Sequence, residues 1–284
     1  MSQKVRSVGI IGGGFMGAGI AETASLSGLP VIVRELPQYL DACRQRLDTS
    51  LARAVKRGKL DADERDKALA RITMTSELND VADVDLVIEV VPEDVELKMS
   101  VMKALDGIVR DDALIASNTS SIPIAQLAGV LHNPARVLGL HFFSPVPVMG
   151  LVEIVHALDT SEETVDTARA FIETLGKHAI ETKDRSGFIV NFLLIPYLMA
   201  AVRMHEEGFA SREDIDTGMT LGAGHPMGPL TLCDFIGLDV LNAVCNSLYE
   251  EFKRDEYAAP PLLRRMIAAG RLGRKSGRGF YEYD

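Results

Sequence analysis

The sequence predicts an α/β fold followed by an all-α domain, and three observations predict it. Short β-branched apolar runs alternate with helix-length segments as far as residue 184. The first of these runs ends in a cluster of glycines: Gly12, Gly13, Gly14 and Gly17. Beyond Asp184-Arg185-Ser186-Gly187 there is no strand pattern until one short candidate at the C-terminus. Strands that alternate with helices form a parallel sheet covered on both faces. The boundary is therefore placed at Asp184, with an α/β domain over 1–184 and a helical domain over 185–284.

Each element has its own signal. Residues 5–11 are an apolar run rich in β-branched side chains and read as a buried strand. Residues 15–27 form a helix ended by Gly28, and Val31-Ile32-Val33 is the next strand, completing a βαβ unit. A charged helical segment, 37–56, follows, then a turn at Arg57-Gly58-Lys59 and a second helix over 61–69. Asp61 and Glu64 have the spacing of a capping box. This helical hairpin is an insertion in the alternation. Strands resume at 72–74, 86–91 and 114–117, with helices at 95–105 and 122–128. Strands 137–140, 152–155 and 179–182 and a helix over 162–175 complete the domain. The second domain reads as helices 188–207, 211–221, 230–253 and 260–270, punctuated by Pro226, Pro229, Pro260 and Pro261.

Composition narrows the function classes. The 284 residues are 47% hydrophobic and 25% charged, a globular balance. Thirty basic against 40 acidic residues give a formal charge of -10, which disfavours general nucleic-acid binding. A local basic patch for one small anion stays compatible with it. Cys43, Cys233 and Cys245 form no CxxC pair and read as buried small hydrophobes in a reducing compartment. No H-E-x-x-H or Cys/His cluster points to a metal. The longest apolar stretch, 188–202, is broken by Asn191 and Pro196, whereas a membrane span needs about 20 apolar residues. With no targeting segment before the first strand, the chain reads as cytoplasmic, with no membrane partner.

Gly12-Gly13-Gly14-Phe15-Met16-Gly17 is a G-x-G-x-x-G between a strand and a helix, the Rossmann-like context for a dinucleotide. Gly12 permits the tight turn, Gly14 lets the backbone approach a pyrophosphate, and Gly17 lets helix and strand pack closely. Glu35 ends the second strand, near the spacing of a ribose-binding acid. Its carboxylate would accept from the ribose hydroxyls and repel a 2′-phosphate, which favours NAD; the neighbouring Arg34 leaves NADP open.

Two stretches go beyond a generic nucleotide fold. They are Ala116-Ser117-Asn118-Thr119-Ser120-Ser121 and Gly139-Leu140-His141-Phe142-Phe143-Ser144-Pro145-Val146-Pro147-Val148-Met149, followed by Leu151-Val152-Glu153. His141 follows a strand, and Glu153 lies in an apolar strand, where a carboxylate is costly unless paired or at an exposed edge. With Gly187-Phe188-Ile189-Val190-Asn191, Asp214-Ile215-Asp216, the segment 222–229 and Gly277-Arg278-Gly279-Phe280-Tyr281, they run in order along the whole chain. Together they resemble the L-3-hydroxyacyl-CoA dehydrogenase family, in its short single-function form.

The resemblance implies an NAD-dependent homodimer that joins through its helical domain and acts on an acyl-CoA thioester, 3-hydroxybutyryl-CoA being the expected substrate. It implies His141 as general acid/base, Glu153 as its partner, and Ser120 and Asn191 as polar residues at the substrate. Glu93, Lys98, Ser120, Ser144 and Lys275, with Phe15 and Met16 of the glycine loop, take cofactor positions. Ser50, Lys56 and Arg57, at the hairpin, take CoA positions, with Lys59 beside them. Read alone, each of these charged residues would be a solvated face. Three positions depart from the family pattern: Ser144 replaces Asn, Phe192 replaces Arg, and Gly150 stands where close relatives commonly have Lys. A carrier-protein-bound acyl unit or a free hydroxyacid is the alternative substrate. A non-enzymatic use of the fold is opposed by the intact Ser120, His141, Glu153 and Asn191 set.

Overall fold

The computed structural model describes residues 4–283; residues 1–3 and 284, at the outer ends of the two predicted domains, lie outside it. The chain divides into two compact units, one ending at Asp184 and the next beginning at Arg185.

The first unit contains, in order, β1 (Val8–Ile11), α1 (Phe15–Leu26), β2 (Val31–Arg34), α2 (Leu40–Lys56) and α3 (Ala62–Ala70). Then come β3 (Ile72–Thr75), β4 (Leu86–Glu89), α4 (Val95–Asp106), β5 (Leu114–Ser117), α5 (Ile124–Ala128) and β6 (Val137–Phe142). It closes with β7 (Leu151–His156), α6 (Glu162–Thr174) and β8 (His178–Lys183). The eight strands form one sheet in the order β3-β2-β1-β4-β5-β6-β7-β8. All neighbours are parallel except β6 and β7. The central strands β1, β4, β5 and β6 are buried along their whole length, as near-continuous apolar runs must be when both faces are covered. Val8, Ile10, Val33, Leu86, Ile88, Ala116 and Leu140 meet in one core.

The second unit contains α7 (Val190–Glu206), α8 (Arg212–Thr217), α9 (Pro229–Ile236), α10 (Leu238–Phe252) and α11 (Pro261–Ala268). Leu198, Met199, Val202, Leu230, Leu241 and Leu263 build its separate core.

The structure differs from the sequence reading in several places. Residues 230–253 are two helices, α9 and α10, bent 96° apart. Gly237, between them, adopts φ +102°, a conformation that side-chain-bearing residues avoid. The predicted helix 211–221 is α8 only as far as Thr217 and continues as a wide π turn, Gly218–Gly222. The predicted C-terminal strand is only two isolated bridges, Gly273 to Arg278 and Arg278 to Glu282. Asp61 has the extended backbone of a helix cap, but its side chain makes no capping hydrogen bond. Strand β6 runs to Phe142, so His141 lies within a strand rather than after one.

Candidate active site

Because β1, β4, β5 and β6 are parallel, their carboxyl ends lie along one edge of the sheet. The chain leaves β1 for β2 on one side, while β4 lies on the other, which makes β1 the switch point where such sheets bind ligands. The glycine loop follows β1, Glu35 follows β2, Glu93 follows β4, Ser120 follows β5, and His141 is the penultimate residue of β6.

The glycine loop has the form that a dinucleotide requires. Gly12 has φ +108°, and a Cβ there would stand 2.7 Å from the Val90 carbonyl oxygen. A Cβ on Gly17 would collide with the Gly12 carbonyl. At Gly14, by contrast, a Cβ would meet nothing within 4 Å, so this stretch of backbone faces open space. Helix α1 starts at Gly14 with no side-chain cap and no acidic residue in its first turn. Its first N–H groups and its positive dipole end are therefore available to a phosphate, whereas α4 and α6 are capped by Asp94 and Ser161. Phe15, beside the loop, is exposed, and Met16 is half-buried. Glu35 accepts the Gly13 N–H at 2.7 Å through one oxygen and the Leu36 N–H at 2.7 Å through the other. The Arg34 guanidinium donates to the Ser76 carbonyl at 3.2 Å. These residues fit NAD.

At the far end of this edge, β6 pairs antiparallel with β7, with His141 directly opposite Glu153. His141 Nδ1 lies 2.6 Å from Glu153 Oε2. Both residues are buried, Glu153 completely, so the exposed-edge reading of this acid does not apply. The Phe143 ring lies 4.6 Å from the imidazole, centroid to centroid. The connecting loop, 143–150, carries the exposed Ser144. Lys177 Nζ holds this loop by donating to the carbonyls of Val146 at 2.6 Å and Met149 at 2.7 Å. The loop also packs on α1, where a Cβ on Gly19 would stand 3.0 Å from Val146.

Between these two sites lies a dense polar network. Glu93 accepts from the Thr119 hydroxyl at 2.5 Å, the Ser121 hydroxyl at 2.9 Å and the Ser120 N–H at 3.1 Å. Burial pushes its carboxyl up, but the Lys98 charge and these three donors outweigh it and hold the carboxyl below its ordinary value. Lys98 is not a solvated surface residue: it is 1% exposed. It donates to both oxygens of Glu89, at 2.8 and 3.0 Å, and to the Val91 carbonyl at 3.0 Å. Glu89, fully buried at the end of β4, was not singled out from the sequence. The available signal was an acid closing the apolar run Leu86-Val87-Ile88, with a lysine nine residues on.

The hairpin residues lie on and just after α2. Lys56 and Arg57 line, with Thr49, Ala52 and Arg53, a shallow open cavity of about 480 Å³. Ser50 hydrogen-bonds the carboxyl of Glu22, which burial raises above its ordinary value. In the second unit, Asn191 is in the first turn of α7. Lys275 Nζ pairs with Asp239 Oδ2 at 2.6 Å, at the start of α10. Phe192 carries the Arg185 guanidinium 3.8 Å from its ring centroid. Among the described residues no single helix is long and apolar enough to cross a membrane, and no cluster of three His, Cys, Asp or Glu could hold a metal.

Comparison with known proteins agrees with this fold. Residues 7–185 match the family "3-hydroxyacyl-CoA dehydrogenase, NAD binding domain", and residues 187–283 match "3-hydroxyacyl-CoA dehydrogenase, C-terminal domain". The chain is 51% identical, over 286 residues and the full length of both proteins, to a 3-hydroxybutyryl-CoA dehydrogenase of Mycobacterium tuberculosis. The crystal structure of M. tuberculosis FadB2 superposes with a TM-score of 0.98 at 49% identity, covering 99% of this chain and 100% of that one. That of the (S)-3-hydroxybutyryl-CoA dehydrogenase PaaH1 from Ralstonia eutropha gives 0.94 at 44% identity, with the same coverage. The chain belongs to the 3-hydroxyacyl-CoA dehydrogenase family and is an NAD-dependent oxidoreductase.

Proposed function

We propose that this enzyme interconverts (S)-3-hydroxybutyryl-CoA and acetoacetyl-CoA, with His141 and Glu153 as its acid/base pair. The observation that carries this reading is the buried His141–Glu153 contact at the same sheet edge as the glycine loop. An ionised carboxylate only accepts hydrogen bonds, so Glu153 holds the imidazole with its proton on Nδ1. Nε2 is then the basic nitrogen, which takes the proton from the 3-hydroxyl in oxidation and returns it to the 3-keto oxygen in reduction. Glu153 compensates the imidazolium formed in between. NAD, when bound, supplies the acceptor for the hydride that leaves C3. Ser120 and Asn191 orient the substrate oxygen. Gly12, Gly14 and Gly17, the N-terminus of α1 and Glu35 hold the dinucleotide, with Phe15, Met16, Glu93, Ser144 and Lys275 around it. Lys98 acts there through Glu93. Ser50, Lys56 and Arg57 bind the anionic CoA.

Two further assignments belong to this reading. The helical unit, 185–284, serves as the dimerisation domain. This is supported by exposed Leu193, Phe209 and Leu221 and by an apolar cavity of about 380 Å³ lined by Tyr197, Ala200, Ala201, Met204 and Ile215. Three buried free thiols suit a reducing compartment such as the cytoplasm. The test is NADH oxidation across acetoacetyl-CoA, longer 3-ketoacyl-CoAs and carrier-bound analogues, with sedimentation of the same preparation. Turnover confined to carrier-bound or free ketoacids overturns the substrate, and a monomer overturns the dimer.

A further inference from the structure

We infer that Glu89 is a positioning residue for the reaction: it fixes the turn at 117–121 that carries Ser120 and, through Lys98, the carboxylate of Glu93. The inference rests on the assignment of Ser120 to the substrate. It begins with an anomaly. Glu89 and Lys98 form an ion pair in which both side chains are at most 2% exposed. Such a pair loses so much hydration that an apolar pair of similar volume is often as stable. Stability alone therefore does not account for it, and its other contacts show what it organises.

Each arm of the pair reaches one end of a functional loop. Glu89 Oε2 accepts from the Ser117 hydroxyl at 2.6 Å, and that hydroxyl oxygen accepts the Thr119 N–H at 3.2 Å. The Glu89 carbonyl accepts the Asn118 N–H at 2.9 Å. On the other arm, Lys98 Nζ lies 3.4 Å from Glu93 Oε2, and Glu93 takes the Thr119 and Ser121 hydroxyls and the Ser120 N–H. The Thr119 hydroxyl oxygen then accepts the N–H groups of Ser121 and Ile122. Every backbone N–H from Asn118 to Ile122 thus has a partner in a network rooted at Glu89. The turn is also tied to the acid/base pair: Asn118 Oδ1 accepts the N–H of Phe142, the residue after His141. Ser120 is therefore held by a chain of hydrogen bonds in which Glu89 and Lys98 are the most deeply buried charges, and the same chain registers it with β6.

The pair also holds the β4 loop against the glycine loop. Glu89 Oε1 accepts the Val91 N–H at 2.7 Å, while Lys98 takes the Val91 carbonyl. Val90, between Glu89 and the anchored Val91, presents the carbonyl against which Gly12 packs. One buried pair thus supports both the turn at the substrate and the loop beside the cofactor.

The test uses the full-length enzyme with Glu89→Gln, Ser117→Ala, Ser120→Ala and the double variant Ser117→Ala/Ser120→Ala. Ser117→Ala keeps the ion pair and cuts one arm to the turn, so it reads the proposal even where Glu89→Gln strands Lys98 and prevents folding. In the ligand-free protein, amide exchange over 118–122 should rise about tenfold in Ser117→Ala, with Tm nearly unchanged. With substrate, kcat should fall about tenfold while the KM for NADH stays within about twofold. The double variant should be no slower than Ser120→Ala within about twofold, because both act through one group. Unchanged exchange and unchanged kcat overturn the proposal, as do effects of Ser117→Ala and Ser120→Ala that simply multiply. The exchange measurement needs no substrate. A wild-type enzyme inert toward acetoacetyl-CoA would therefore defeat the proposed reaction while leaving the positioning claim separately decided.

Discussion

Replacing Glu153 by glutamine isolates what its charge contributes. The substitution keeps the side-chain shape in a site with no exposure and 2.6 Å from the imidazole. Two limits bracket the effect. A hydrogen bond to a charged group exceeds a neutral one by about 1–2 kcal/mol, the floor. The full Coulomb attraction across 2.6 Å at an effective dielectric of about 20 is about 6 kcal/mol, the ceiling. The amide retains part of that attraction as a dipole, so the middle of the range applies, about 3–4 kcal/mol, or a fall in kcat of about 10²–10³. Glutamine can also turn its NH₂ toward Nδ1, which moves the ring proton to Nε2 and removes the base, so the loss lies toward the larger figure. The assay is steady-state NADH oxidation with acetoacetyl-CoA, beside NADH binding by fluorescence and Tm. Binding should hold because the glycine loop is not touched, and Tm because glutamine keeps the shape of the buried side chain and one hydrogen bond to the imidazole. A variant that keeps kcat within about threefold of wild type refutes the pairing as the acid/base device.

Glu35→Ala removes an acceptor from both the ribose and the Gly13 N–H, so the Kd for NADH should rise about tenfold; unchanged affinity would place the ribose acid elsewhere. Lys56→Ala with Arg57→Ala should raise the KM for acetoacetyl-CoA several-fold, with the loss shrinking in high salt and the KM for NADH constant. An equal change for both substrates would remove CoA from this helix tip. For Asp106, burial pushes the carboxyl up, but the His132 N–H and the Arg136 guanidinium hold it below its ordinary 3.8. A depressed folded value means that its contribution is full above the ordinary carboxylate range and is lost as pH falls through the folded value. Asp106→Asn should therefore cost about 2–4 kcal/mol at pH 7, where Arg136 is left buried without its carboxylate, and less at pH 3, below the ordinary carboxylate value. Urea unfolding at both pH values checks this, and an equal cost at both would contradict it.

What was legible in the sequence was whatever local chemistry imposes. The glycine loop could be read because two of its positions, Gly12 and Gly17, allow no side chain, and the strand edges because β-branched runs end in turns. His141 and Glu153 were paired by the family resemblance and not by anything in the two strands themselves. The contact depends on β7 running antiparallel, and nothing within either strand encodes its neighbour. Glu89 was invisible for a related reason. It falls inside the predicted strand 86–91, but the strand pattern does not say what lies on either side, and it is the flanking β1 and β5 that bury it. Without the resemblance Lys98 reads as a solvated face, because helical spacing gives a face and not what covers it. The break at Gly237 was readable, since a glycine inside a helical pattern weakens it, but apolar residues recur at helical spacing on both sides of it.

The antiparallel pair explains more than the contact itself. Side chains alternate across a strand, so a slip of one residue would set Val152 or Ile154 opposite His141 and turn Glu153 to the other face. The register is held partly outside the strands, by Lys177 on two carbonyls of the loop and by Val146 seated on Gly19. Gly19 belongs to the same helix whose uncapped first turn is proposed to meet the phosphates. A change in how α1 packs would therefore reach the loop behind the acid/base pair without touching either catalytic side chain. The charge balance fits the same economy of placement. A surface at -10 does not concentrate anions, so two phosphate-rich ligands must be met by local donors alone. The donors proposed here, the uncapped start of α1 and the Lys56-Arg57 tip of α2, belong to helices that pack on one another.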